Sequence, residues 1–145
     1  MTTLGNARII STAAPAAFFT RWADTATWPQ WSQDTEWVRL DGEFAEGTTG
    51  TLKPKGGPKT RFVVTVLTDR EFTDVSHLPG AKLTFRHLVE VTEAGGTVVE
   101  VTASLAGPMA WLWKRILGKD IARTVPADLA GLKATAEAAV MEVAK

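Results

Sequence analysis

Through the middle of the chain apolar and polar positions alternate. The apolar set reads Phe62, Val64 and Val66, then Leu83, Phe85, His87, Val89 and Val91, then Val99, Val101, Ala103 and Leu105. A period of two over runs of this length predicts antiparallel strands buried on one face, the other face carrying Arg86, Glu90 and Glu100. The runs are broken at Asp41-Gly42, Glu46-Gly47, Lys53-Pro54-Lys55-Gly56-Gly57-Pro58-Lys59, Asp69-Arg70, Pro79-Gly80 and Ala94-Gly95-Gly96. Asp34 to Leu105 therefore reads as consecutive hairpins. Ahead of them, Leu4 to Thr12 fits a short strand. Pro15 stands where a first-turn proline belongs, before a helix over Ala16 to Ala23 that carries Phe18, Phe19 and Trp22. Trp28 and Trp31, three apart around Pro29, fall on one side of a single helical turn.

After the strands the period changes. Pro108 opens a helix over Met109 to Leu117, and Gly118 is placed to cap it. Beyond it Ile121, Val125, Leu129, Leu132, Ala136, Val140 and Val143 recur at steps of three or four, one apolar stripe on a long helix that Pro126 should kink or restart. A curved sheet must cover its apolar face, and this helix is the cover available. The predicted fold is α+β, a helix grip: a curved antiparallel seven-stranded sheet wrapped around a long C-terminal helix, with two short helices after the first strand. Residues 1–145 read as one domain. A helix crossing such a sheet cannot fill its whole concavity, so a cavity lined by inward side chains is expected.

Composition narrows the function classes. Lys plus Arg and Asp plus Glu are 16 each in 145 residues, for a formal net charge of +0. That balance lacks the surplus of cations with which nucleic-acid binders displace counterions, so no nucleic-acid partner is expected. Without cysteine there are no disulfides, thiolate nucleophiles or cysteine-held metals. Six Trp and six Phe stand against no Tyr, giving ample flat apolar surface but no phenol. The start of the chain has no apolar segment behind a basic one, and no run of 18 apolar residues follows. A cytoplasmic location without a transmembrane segment is the expectation. No cofactor is indicated: Gly47-Thr48-Thr49-Gly50 has neither the spacing nor the following helix of a phosphate-binding loop.

Several segments together resemble the START/Bet v 1-like (SRPBCC) superfamily, in particular its polyketide cyclase/dehydrase-type branch. They are Ala14-Pro15-Ala16-Ala17-Phe18-Phe19, Asp24 with Trp28-Pro29-Gln30-Trp31-Ser32, Gly42-Glu43-Phe44 with Gly47-Thr48-Thr49-Gly50, Leu78 through His87, and Gly107-Pro108-Met109-Ala110-Trp111-Leu112-Trp113. In this order they cover nearly the whole chain. The resemblance implies a deep apolar cavity for lipids, sterols, polyketides or similar ligands. Two features depart from it. Pocket tyrosines that steer a poly-β-ketone in aromatase/cyclase members have no counterpart here, and Glu46 to Gly50 is at most a shortened form of the Bet v 1 glycine-rich loop.

Candidate chemistry centres on His87, which is in phase with Phe85 and Val89. A three-residue turn Glu93-Ala94-Gly95 with Gly95 left-handed would set His87 opposite Val101. An even turn at Pro79-Gly80 would bring Phe72, Asp74 and Ser76 to the same face, Phe72 opposite His87 and Asp74 a diagonal step away. His87 as acid/base with Asp74 orienting it is the catalytic candidate; a buried histidine bonded to backbone is the structural alternative. His77 is turned outward by the same parity, and an even Asp69-Arg70 turn would reverse that, so strict alternation does not allow both turns to be even. Two histidines on separate strands do not make a metal site. Residues expected to line the ligand cavity are Trp28, Trp31, Phe62, Val64, Phe72, Phe85, His87, Val101, Met109, Trp113 and Leu129. Trp111 and Trp113, two apart, cannot share a helix face. One should pack inward and the other stand at the cavity mouth beside Lys114 and Arg115, a surface for peripheral membrane contact. Trp37 is out of phase with Val38 and Leu40, and either it or that pair faces out. The basic Lys53–Lys59 tip reads as a solvated hairpin end. The leading function is binding of a small hydrophobic ligand, aromatic, polyketide- or lipid-like, between sheet and helix. The alternatives are a polyketide cyclase/dehydratase using His87, and a protein-interaction or lipid-presenting module. Nothing in the pattern declares an oligomeric state.

Overall fold

The structure is a computed structural model that describes the backbone of residues 1–144 and the side chains through residue 138. Val140 and Val143 of the predicted stripe lie outside the described side chains. Strand β1 (Thr2–Ser11) is followed by α1 (Pro15–Ala23), a 3-10 turn (Thr25–Thr27) and the one-turn α2 (Trp28–Trp31). Six strands come next: β2 (Thr35–Leu40), β3 (Thr49–Pro54), β4 (Thr60–Leu67), β5 (Glu71–Leu78), β6 (Ala81–Val91) and β7 (Thr97–Ala106). Helix α3 (Ala110–Ala144) closes the chain. All neighbours in the seven-stranded sheet are antiparallel, in the order β1-β7-β6-β5-β4-β3-β2. This is the predicted helix grip.

The hairpin turns carry the register. Thr92 donates to the Gly96 carbonyl at 2.9 Å, leaving Glu93-Ala94-Gly95 as the loop, with Gly95 at φ 86°. Leu78 pairs with Ala81 across Pro79-Gly80, where Gly80 has φ 72°. Both turns are as expected, and they set His87 opposite Phe72 on one side and Val101 on the other.

The Asp69-Arg70 turn is also even, since Thr68 donates to the Glu71 carbonyl at 2.9 Å. The incompatibility drawn from strict alternation is therefore overturned, and the reason is a bulge. Val64 pairs with Asp74 but Val66 with Thr73, so Thr65 is one residue too many on β4. A bulge flips the parity of everything beyond it. Val66 consequently leaves the inner face and Leu67 replaces it against the core. His77 is exposed as expected. Val91, placed in phase with the core, is 49% exposed because it is the last residue of β6, paired with β7 but beyond the end of β5.

Helix α3 is a second correction. It does not stop at Gly118, nor restart at Pro126; both lie inside one helix. Gly118 lacks the left-handed φ that ends helices. Pro126 is exposed, between the buried Val125 and Leu129, so core packing continues on the opposite side. Ile121, Val125, Leu129, Leu132 and Ala136 form the buried stripe.

The stripe lies chiefly over β1 and β7 and reaches only to β6. Small inward residues allow this approach: a Cβ on Gly5 would stand 3.4 Å from the Ala122 Cα. At Gly131 the contact with α2 is closer still, for a Cβ there would lie 2.5 Å from the Trp31 carbonyl oxygen. Gly131→Ala is therefore expected to destabilise by about 1–3 kcal/mol through forced separation of the helices. Gly118→Ala, with only Lys114 Cγ at 3.6 Å, should stabilise by about 0.5–1 kcal/mol. Urea unfolding of the two variants should thus give shifts of opposite sign.

Candidate functional site

The inner face is built in rows across the sheet. One row runs Val64, Asp74, Phe85, Ala103 and Gly5, the next Leu67, Phe72, His87, Val101 and Ala7. Helices α1 and α2 cap the second row with aromatic rings. Trp22 is fully buried, with its ring centre 5.5 Å from Phe72 and 5.1 Å from His87. Trp28 lies 6.3 Å from Phe72 and 5.4 Å from Trp31, and its Nε1 donates to the Trp22 carbonyl at 3.0 Å. Phe44, from the β2–β3 loop, meets Phe72 edge-on at 5.0 Å.

His87 is stacked on Phe72 at 4.7 Å and 14°. Its Nδ1 lies 2.7 Å from the Phe72 carbonyl oxygen, an acceptor only, so Nδ1 carries the proton and Nε2 keeps its lone pair. Burial lowers the imidazole to about 4, against a smaller upward pull from that carbonyl and from Glu71, so it is neutral at pH 7. The backbone of Phe72 thus does the orienting that was expected of Asp74.

Asp74 is in the expected inward position, directly between Val64 and Phe85, and only 7% exposed. Its carboxyl has no hydrogen-bond partner among the described residues. Burial alone raises it to about 7. Ser76, next on the same face, is also buried.

Of the expected lining residues, Trp28, Trp31, Phe62, Val64, Phe72, Val101 and Leu129 are buried in the core, whereas Phe85, His87, Met109 and Trp113 are half-buried. Met109 donates its backbone N–H to the Gly80 carbonyl at 2.9 Å, and Trp113 Nε1 donates to that of Pro79 at 2.8 Å, so the start of α3 is tied to the β5–β6 turn. Sequence reasoning omitted Trp22 and Phe44 from the site, and with them the half-buried Leu40, Leu52, Leu78 and Leu117. Leu40 could have been found from its alternation with Trp37 and Arg39, and Leu52 from its place opposite Val38 across the β2–β3 hairpin. Trp37 faces out, with Arg39 5.4 Å and Lys59 5.7 Å from its ring, while Val38 is core. Lys53, in the basic tip, pairs with Glu36 at 3.1 Å.

Two surface concavities lie apart from Asp74, Phe85 and His87. One of about 380 Å³ is lined by Ile10, Ser11, Lys133 and Glu137 among others, the other of about 130 Å³ by Trp31, Arg123 and Asp128 among others. Trp111 is 59% exposed and Ile116 55%, beside Lys114 and Arg115. Among the described residues no three His, Asp or Glu side chains gather as metal ligands, and no helix is long and apolar enough to cross a membrane.

A seven-stranded antiparallel sheet gripping one long helix is the START/Bet v 1-like fold, and solved structures share it. The di-domain ARO/CYC StfQ from the steffimycin biosynthetic pathway superposes with a TM-score of 0.70 at 15% identity, over 96% of this chain and 52% of that one. Ara h 8.0201 matches with a TM-score of 0.68 at 12% identity, over 92% and 96%. A START superfamily protein from Mycobacterium smegmatis matches with a TM-score of 0.65 at 14% identity, over 91% and 95%. No family model and no curated protein matches the chain. The likeness is one of fold.

Proposed function

We propose that the protein binds a small hydrophobic ligand, with an aromatic, polyketide-like or lipid-like body, against the inner face of β3–β6. The observation that carries this reading is a set of apolar side chains, Leu40, Leu52, Leu78, Phe85 and Leu117, that point inward yet are only partly covered. Helix α3 packs chiefly against β1 and β7 and only slightly against β6, leaving the strand side chains of this set without that helix over them. The fold of Ara h 8.0201 and of the START superfamily protein supports the same reading. Apolar burial at about 25 cal/mol per Å² would supply most of the affinity. His87 and Asp74 are the polar groups placed to orient the ligand.

Calorimetric titration with 2-methylnaphthalene, a neutral apolar probe, is expected to give binding with a negative heat-capacity change and a raised Tm. A probe that leaves Tm unchanged up to its solubility limit would overturn the reading. Catalysis is the second reading, favoured by one observation: a neutral imidazole with a free Nε2 lies a diagonal step from a carboxyl that titrates near pH 7. Such a pair suits proton transfer on a polyketide-like substrate. His87→Ala should then abolish turnover of a cyclisable substrate while leaving it bound, and unchanged turnover would remove this reading.

A further inference from the structure

The inner face is unusual in what its polar groups can accept and in what it lacks. His87 spends its one N–H on the Phe72 carbonyl, so toward the interior it offers only the Nε2 lone pair. Asp74 offers two carboxylate oxygens that no described residue engages. Its neighbours across the sheet are Val64 on β4 and Phe85 on β6, with His87 the titratable group on the diagonal. Glu71, the nearest other carboxylate on β5, is turned to the outer face and paired with Arg86 at 3.3 Å. The buried stripe of α3 is Ile121, Val125, Leu129, Leu132 and Ala136, without a charged side chain. No described lysine or arginine is fully buried, so no cation of the protein's own balances Asp74.

We infer that the ligand carries a protonated amine, and that Asp74, with His87 Nε2 beside it, receives that ammonium group while the apolar body lies along Phe85 and its neighbours. The inference rests on the binding function proposed above and names the ligand class. An isolated buried carboxylate is costly, and a partner of opposite charge with N–H donors removes most of that cost. An ammonium has donors enough for both acceptors, whose residues are diagonal neighbours on β5 and β6, with backbones about 7–8 Å apart and side chains that rise from the same face. The half-buried ring of Phe85 adds cation–π attraction. A neutral hydroxyl or carbonyl ligand would instead leave the carboxyl protonated and use it as a donor. The two cases differ in the sign of their pH dependence.

Three probes of one shape separate them: 2-naphthylmethylamine, 2-naphthalenemethanol and 2-methylnaphthalene, titrated into the wild-type protein between pH 5 and pH 8.5. The amine is expected to bind at least tenfold more tightly than 2-methylnaphthalene at pH 8. Its affinity should fall by roughly tenfold per pH unit below about 7, where the carboxyl takes up a proton. Asp74→Asn should bring the amine down to the affinity of 2-methylnaphthalene for the same variant. The wild-type pH profile stands even if that variant does not fold. If 2-methylnaphthalene binds and the amine gains nothing over it, the amine inference is overturned while the apolar site remains. Preference for the alcohol, weakening above pH 7, would overturn it in favour of a neutral carboxyl donor. If none of the three binds, the binding function fails, and this inference with it.

Discussion

Asp74→Leu is expected to stabilise the unliganded protein at pH 8 by on the order of 2–4 kcal/mol, and to change it far less near pH 4. The wild-type carboxyl sits at about 7 in the folded chain against an ordinary 3.8, so between those values the native state holds more protons than the unfolded one. Stability contributed by Asp74 is therefore present below about pH 4 and lost as pH rises to 7. His87 acts in the opposite sense. Lowered to about 4 from 6.5, it makes the unfolded state the better proton binder in that window, so its contribution is lost as pH falls from 6.5 to 4. The two slopes oppose each other in the wild type. In Asp74→Leu the loss of stability between pH 6 and 7 should disappear, leaving the rise due to His87 opposed only below about pH 6 by Asp128, which burial raises to about 6. Denaturant unfolding at four pH values across this range measures it. A variant less stable than wild type at pH 8 would show that Asp74 has a partner it does not have here.

Trp22→Ala should cost about 3–5 kcal/mol, among the largest effects of any single truncation in this chain. Its ring joins α1 to the sheet through Phe19 at 5.1 Å, Phe72 at 5.5 Å and His87 at 5.1 Å. Its indole N–H, however, is buried without an acceptor among the described residues. Trp22→Phe removes that unsatisfied donor together with some volume, so it should retain most of the stability, costing less than about 1.5 kcal/mol. Equal losses in the two variants, read from urea midpoints, would place the energy in the N–H rather than in the ring.

How far the sequence reveals this structure depends on which interactions set each feature. Turn chemistry is local, so Pro79-Gly80 and Glu93-Ala94-Gly95 correctly placed Phe72, Asp74, His87 and Val101 on one face. The bulge at Thr65 has no local marker. It is required only because two even turns must be reconciled with one buried face, and that is a property of three strands together. The long helix was divided at Gly118 because a glycine can cap. Whether it does is decided by the packing of Ile121 and Val125 beyond it. Trp22 and Phe44 were missed as site residues because each reaches Phe72 from a segment remote in sequence. The orienting bond to His87 comes from a backbone carbonyl, which no side-chain pattern encodes.

The central claim is that the concave face of β3–β6 holds an apolar ligand, and amide chemical-shift mapping with 2-methylnaphthalene tests it most directly. The predicted result is saturable shifts at Leu52, Asp74, Phe85 and His87, with the outer-face residues Arg86 and Glu90 little changed. Shifts confined to Trp111, Ile116 and their neighbours on the exposed side of α3 would contradict it.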